Sequence, residues 1–338
     1  MAARESVEGV LGHLTIALHA ESYAPGEVVT GVVKLSTLEL IQAREPLAVL
    51  VQGKETVAWD EGGYNPVTNA FDKIFLQEKI ELVPTTLFSA GDSEYSFNFT
   101  LPKDLPSSFE LTDVYSGTAE RLRVRVKYEA SVWLRAEGDS VAYLQTSQEF
   151  SVHAPPTATP PARALEITTS EVVHWLCCIN RGSLQMMLEI PKDVFVAGEV
   201  VPLVCRVDGS ACKASVKSIS VELIEDVALR NLGERPDWTV TRQLSTQQVF
   251  GPDAGHKGEQ VVEVGLVEND KKTAINPDVA THFFRCTHRL IVHCKPFMAQ
   301  SIMAEVPVRV LHHNTSFSTG AVRVLRLPAE ATSGSKSP

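Results

Sequence analysis

Tyr23-Ala24-Pro25-Gly26-Glu27-Val28-Val29 and Phe195-Val196-Ala197-Gly198-Glu199-Val200-Val201 share an aromatic residue, a two-residue spacer and Gly-Glu-Val-Val, at an offset of 172 positions (195 minus 23). The match continues on both sides without a gap. Leu14 to Leu18 lies over Met186 to Ile190, Val32 to Leu35 over Val204 to Val207, and Leu47, Val49 and Val51 over Ile219, Val221 and Leu223. Each copy reads strand, turn, strand, connection, strand. The glycine supplies the turn because it tolerates the positive φ that many tight turns need. Beyond it, Val29, Gly31, Val33 and Leu35 alternate and share one face of a strand. The period is too long for a solenoid unit, so the repeat predicts two tandem domains of one fold.

Length and composition agree. A chain of 338 residues fits two domains of ~150 residues. Hydrophobic residues make up 44% of it, enough for two cores. A formal net charge of −10 gives no global attraction to nucleic acid or anionic lipid, so any anion-binding surface must be a local patch. No apolar run reaches the ~18 residues of a membrane span, and Met1 to Gly12 lacks a secretory pattern. The expectation is a soluble, cytosolic protein. Cys177, Cys178, Cys205, Cys212, Cys286 and Cys294 all fall in the second half, without the look of a disulfide scaffold, and free thiols are expected.

Taken in order, the first half predicts strands over 14–18, 28–35 and 47–59, then a turn-rich loop over 60–69 and one or two strands over 71–83. Tyr95, Phe97, Phe99 and Leu101 alternate with Ser96, Asn98 and Thr100 until Pro102 stops the run. Arg121 to Leu134 alternates for fourteen residues. Leu122, Val124, Val126, Tyr128, Ala130, Val132 and Leu134 form its inward face. A strand over 143–152 pairs with it through Gly138-Asp139, a dipeptide that favours hairpins. Pro155-Pro156-Thr157-Ala158-Thr159-Pro160-Pro161 reads as a semi-extended linker. The second half predicts strands over 184–190, 200–207, 219–224, 261–267, 289–295, 305–310 and 322–327. No amphipathic helix of three turns stands out. These readings give an all-β protein of two tandem antiparallel immunoglobulin-like β-sandwiches. The first is expected over 8–154 and the linker over 155–162. The second follows over 163–328, with a disordered tail over 329–338.

Five features together resemble the arrestin superfamily, and within it the α-arrestins, or arrestin-domain-containing proteins. They are Tyr23-x-Pro25-Gly26-Glu27-x-Val29-x-Gly31; Val49-x-Val51-x-Gly53-x-Glu55-x-Val57-x-Trp59; Tyr95-x-Phe97-x-Phe99-x-Leu101-Pro102 leading into Leu105-Pro106-Ser107-Ser108-Phe109-Glu110; the Cys177-Cys178 pair; and Phe195-x-x-Gly198-Glu199. The resemblance implies the arrestin fold and a non-enzymatic adaptor that binds cytoplasmic tails of membrane proteins. It implies endocytic or endosomal sorting, peripheral association with the plasma membrane or endosomes, and no cofactor. Many members recruit a WW-domain ubiquitin ligase through Pro-Pro-x-Tyr. Here Pro155-Pro156 and Pro160-Pro161 lack the tyrosine, which sets this chain apart from that mechanism. A structural subunit of a sorting coat, similar to the arrestin-like subunit of retromer, is the alternative.

For a site, Arg121, Arg123, Arg125 and Lys127 place four cations on one strand face ~7 Å apart, a spacing that suits phosphates or carboxylates on an extended partner. The plainer reading is a solvated face that protects a sheet edge. His282-x3-Cys286-x-His288-x4-His293-Cys294 contains zinc-type ligands, but His293 and Cys294 point to opposite faces and no Cys-x2-Cys lies nearby, so no metal is expected. Cys205 occupies the repeat position of Val33 and is expected in the core. Trp59, Trp133, Trp175 and Trp238 are expected to pack. Catalytic motifs such as Gly-x-Ser-x-Gly, a phosphate-binding glycine loop or His-Glu-x-x-His do not occur, and no catalytic residue is assigned.

Overall fold

The computed structural model describes residues 7–9, 12–61, 67–115, 121–137, 143–153, 162–175, 179–268 and 273–312. The expected Gly138-Asp139 turn, the Cys177-Cys178 pair, the linker at 155–161, the strand over 322–327 and the tail lie outside the described residues. The first half carries β1 (Val7–Gly9), β2 (Gly12–Leu18), β3 (Ser22–Tyr23), β4 (Val28–Thr37), β5 (Ile41–Gln42), β6 (Ala48–Glu61), β7 (Val67–Glu81), β8 (Leu87–Phe88), β9 (Gly91–Thr100), β10 (Phe109–Tyr115), β11 (Arg121–Arg135) and β12 (Tyr143–Val152). The second carries β13 (Leu165–Trp175), β14 (Ile179–Ile190), β15 (Val194–Val196), β16 (Val200–Asp208), β17 (Val216–Leu229), β18 (Trp238–Val249), β19 (Lys257–Gly265), β20 (Val279–Ala280), β21 (Phe284–Pro296) and β22 (Ile302–Leu311).

Each half is built around two sheets of the same order, and the first half adds the two-stranded sheet β5-β8. The four-stranded sheet β1-β2-β4-β9 is matched by β13-β14-β16-β19. The six-stranded sheet β3-β12-β11-β6-β7, with β10 on β11, is matched by β15-β22-β21-β17-β18, with β20 on β21. Register is copied too. Leu14 faces Leu35 as Met186 faces Val207, and Ala17 faces Val32 as Glu189 faces Val204.

The repeated Gly-Glu has a physical reason. Gly26 and Gly198 adopt φ of 85° and 87°, where a Cβ is strained. Their N–H groups donate across the sheet to Pro102 O (3.2 Å) and Leu266 O (2.9 Å). The following glutamate closes the turn, because Glu27 accepts from the Ala24 N–H at 2.7 Å and Glu199 from the Val196 N–H at 2.9 Å. Turn and strand entry are thus fixed by two residues.

Alternate residues of β4, β6 and β11 bury as the sequence pattern predicts, and Cys205 is fully buried at the position of Val33. Strands β13 and β18 are additions to the sequence reading. Both are edge strands with largely exposed, polar faces, so neither shows the alternation that a half-buried strand requires. The segment expected to hold one or two strands is the single β7, broken only by a bulge opposite Gly53 and Lys54.

One hydrophobic core fills the first sandwich and continues into the second through Val227, Leu229, Val240, Phe283 and Phe284. A separate core fills the remainder of the second sandwich. The rings of Phe109 and Phe284 meet across the boundary with centroids 4.9 Å apart, and Trp59 meets Trp238 edge to face at 5.4 Å. Arg235 lies over both indoles, at 5.0 and 3.9 Å. At this boundary Glu55, 1% exposed on β6, accepts hydrogen bonds from the backbone N–H of Phe283 (2.7 Å) and His282 (3.3 Å) and from the Thr281 hydroxyl. A buried carboxylate is tolerated only with such donors, so the two sandwiches are joined by a polar latch set in an apolar seam.

Candidate docking groove

Strand β11 pairs with β6 over 121–133 on one side, and with β10 and then β12 on the other. It is therefore an interior strand, and the cationic stripe does not guard an edge. Arg121, Arg123, Arg125 and Lys127 share the outward face because Leu122, Val124, Val126 and Tyr128 occupy the core side. The structure so brings all four onto one surface.

Each described partner of the stripe is acidic. Arg123 bonds Asp60 at 2.7 Å. Arg125 bonds Glu149 at 3.0 Å and lies 3.8 Å from Glu110. Lys127 reaches Glu149 at 2.6 Å and Glu129 at 2.7 Å. Burial pushes the Lys127 ammonium down, but its bonds to Glu129 and Glu149 outweigh that and hold it above its ordinary value. Glu149 bridges Arg125 and Lys127 from β12, and its side chain is half exposed. Exposed pairs of this kind contribute only ~0–1 kcal/mol each, so a competing anion meets little resistance.

The lower end of the stripe opens into a groove of about 520 Å³ between the sandwiches. Arg125, Lys127 and Glu149 line one wall; Ala197, Pro277 and His312 of the second sandwich line the other. His312 stacks on His153 at 3.3 Å, joining the C-terminal ends of the two copies. Burial, reinforced by His312, lowers the His153 imidazole to about 4.

Residues 13–155 match the family model described as "Arrestin (or S-antigen), N-terminal domain", and residues 180–315 match "Arrestin (or S-antigen), C-terminal domain". The chain belongs to the arrestin superfamily. Arrestin domains suggest an adaptor or scaffold role in trafficking, and arrestins in general bind membrane receptor cargo without enzymatic activity. No helix among the described residues is long and apolar enough to cross a membrane.

Of the tryptophans expected to pack, Trp59, Trp133 and Trp238 do so, and the side chain of Trp175 lies outside the described ones. Trp59 is buried at the seam and Trp133 donates its indole N–H to Glu45 at 3.0 Å. The latch residue Glu55 appears in the sequence only within the run from Val49 to Trp59, with no role assigned, and Glu225, fully buried on β17, carries no assignment either. A signal for both was present. Val49, Val51, Gly53, Glu55, Val57 and Ile219, Val221, Leu223, Glu225, Val227 each place an acid at an inward position. Among the described residues, Glu225, Cys286 and His288 are the group whose ligand atoms converge closely enough for a metal ion.

Proposed function

We propose that this arrestin-superfamily protein is a non-enzymatic, cytoplasmic adaptor of the α-arrestin type that captures acidic or phosphorylated tails of membrane cargo in the groove beside β11. The observation that supports this is the shared carboxylate of Glu149, which stands between Arg125 and Lys127 where a phosphate or acidic side chain of an extended partner can replace it. Arg121 and Arg123 continue the row at strand spacing, so successive acidic residues of a cargo tail meet successive cations. Cargo is thereby sorted at the plasma membrane or endosomes through peripheral association.

The test is binding of the full chain to a tail peptide with and without phosphates, read by fluorescence anisotropy at two salt concentrations. The phosphorylated peptide binds at least tenfold more tightly, and changing Arg121, Arg123, Arg125 and Lys127 together to Gln removes that advantage. Equal binding of the quadruple variant and the parent contradicts the proposal.

A sorting-coat subunit is the second reading. The Glu55 latch and the shared seam suit a stiff structural part, and the chain has no Pro-Pro-x-Tyr with which to recruit a WW-domain ubiquitin ligase. Stoichiometric co-purification with fixed partners favours the coat; transient, cargo-dependent capture favours the adaptor.

A further inference from the structure

We propose that Glu225, Cys286 and His288 form a binding site for one divalent ion of the zinc class inside the second sandwich. Cys286 and His288 are two apart on β21 and so share its inward face, while Glu225 lies directly opposite His288 on β17. All three are buried, at 0% for Glu225, 1% for Cys286 and 3% for His288, and their ligand atoms lie within 4.8 Å of one another.

Two buried atoms that make no hydrogen bond, and are paired only as ions across 3.7 Å, are placed to share a cation. Glu225 Oε1 accepts from Arg242 Nε at 2.7 Å, but Oε2 has no hydrogen-bond partner. His288 Nδ1 lies 2.7 Å from Asp278 Oδ1, a contact that orients the ring and, with Asp278 ionised, is made through a proton on Nδ1. Its Nε2 likewise makes no hydrogen bond and faces Glu225 Oε2 at 3.7 Å, beyond hydrogen-bond range. Leaving two buried polar atoms without a hydrogen bond is unfavourable. An ion between them satisfies both. Donors about 2.05 Å from a tetrahedral zinc sit about 3.3 Å apart, so the 3.7 Å separation of nitrogen and oxygen has to close by a few tenths of an ångström.

The donor set also selects the metal. Thiolate, imidazole and carboxylate together suit zinc rather than calcium or magnesium, which take oxygen ligands. Asp278 behind His288 and Arg242 behind Glu225 are the outer partners that orient ligands in metal sites. Binding replaces the thiol proton of Cys286, and any second proton on His288, which leave to solvent. Zn²⁺, one thiolate and one carboxylate are then neutral as a group. The site also bears on the domain seam. Cys286 pairs with Val279 of β20, and the turn that follows β20 carries the N–H groups held by Glu55.

Spacing along the sequence directs attention to His293 and Cys294, whereas the third ligand comes from a strand some sixty residues earlier and is visible only once β17 and β21 are paired. The test uses the full chain stripped with chelator, repurified, and loaded with Zn²⁺ or Co²⁺. One equivalent of zinc is retained through gel filtration, and the cobalt form shows a thiolate-to-metal charge-transfer band. That band disappears in Cys286→Ser and persists in Cys294→Ser, and Asp278→Asn weakens affinity about 10–100-fold. Absence of both retained zinc and the cobalt band in the parent chain overturns the site, even if a variant fails to fold. A band that survives Cys286→Ser in a folded protein overturns it as well.

Discussion

The two sandwiches solve one structural problem in opposite ways. In the first, Gly53 on β6 faces Tyr128 on β11, and the ring fills the space while its hydroxyl donates to Pro106 O. In the second, the repeat position of Gly53 is Glu225, its cross-strand partner is His288, and His288 reaches Asp278, which stands at the repeat position of Pro106. The first copy is apolar with a single satisfied hydroxyl. The second holds Glu225, Arg242, His288 and Asp278 in the same place, a costly arrangement that stability does not require. A fold duplicated down to register thus differs here by a packed ring in one copy and a buried polar network in the other.

The largest loss of stability is expected at Glu225. Glu225→Ala removes the acceptor of Arg242 Nε and the carboxylate facing His288, leaving Arg242 to Glu268 and His288 to Asp278, and lowers metal-free stability by about 3 kcal/mol in urea unfolding. Gly53→Ala, which places a Cβ 2.6 Å from Phe75 and 3.0 Å from Tyr128, costs about 1–3 kcal/mol through overpacking. Equal losses at the two positions would erase the distinction between a polar and a packed pocket.

At the seam, Glu55→Ala leaves the N–H groups of Phe283 and His282 without their acceptor and costs about 3 kcal/mol. The informative readout is cooperativity, since the unfolding transition separates into two when the latch is lost. A single transition with unchanged midpoint shows that the apolar seam alone couples the sandwiches.

Where the copies agree, equal substitutions should have equal effects. Gly26→Ala and Gly198→Ala each cost about 1–2 kcal/mol because both residues hold positive φ. Unequal losses would show that one turn relaxes and that the repeat is less exact in energy than in shape.

A further effect is read in pH. His153 titrates near 4 in the folded protein against about 6.5 when unfolded, so the unfolded chain takes up the proton first. Stability contributed by neutral His153 is full above about pH 6.5, declines as pH falls, and is gone below about pH 4. His153→Gln therefore flattens the acid limb of a stability–pH curve between those values, and an unchanged limb assigns acid sensitivity to other groups.

Much of the architecture was legible because its cause is local. Alternation in β4, β9 and β11 follows from one buried face, and the Gly-Glu turns announce themselves twice. Strands β13 and β18 were not legible, since an edge strand with exposed faces carries no period. The cationic stripe was readable as a row, but its acidic partners come from β6, β10 and β12, which only pairing brings beside it. The same holds for the metal pocket. Cys286 and His288 are neighbours in sequence, while Glu225 arrives through the β17–β21 ladder and Asp278 through the turn before β20.

The most direct measurement is a crystal of the zinc-loaded full chain recorded on both sides of the zinc absorption edge. One anomalous peak is expected, bounded by Cys286 Sγ, His288 Nε2 and Glu225 Oε2, with none beside Tyr128 and Gly53. Density for zinc at another position, with Glu225 and His288 joined only by a proton or water, would contradict it.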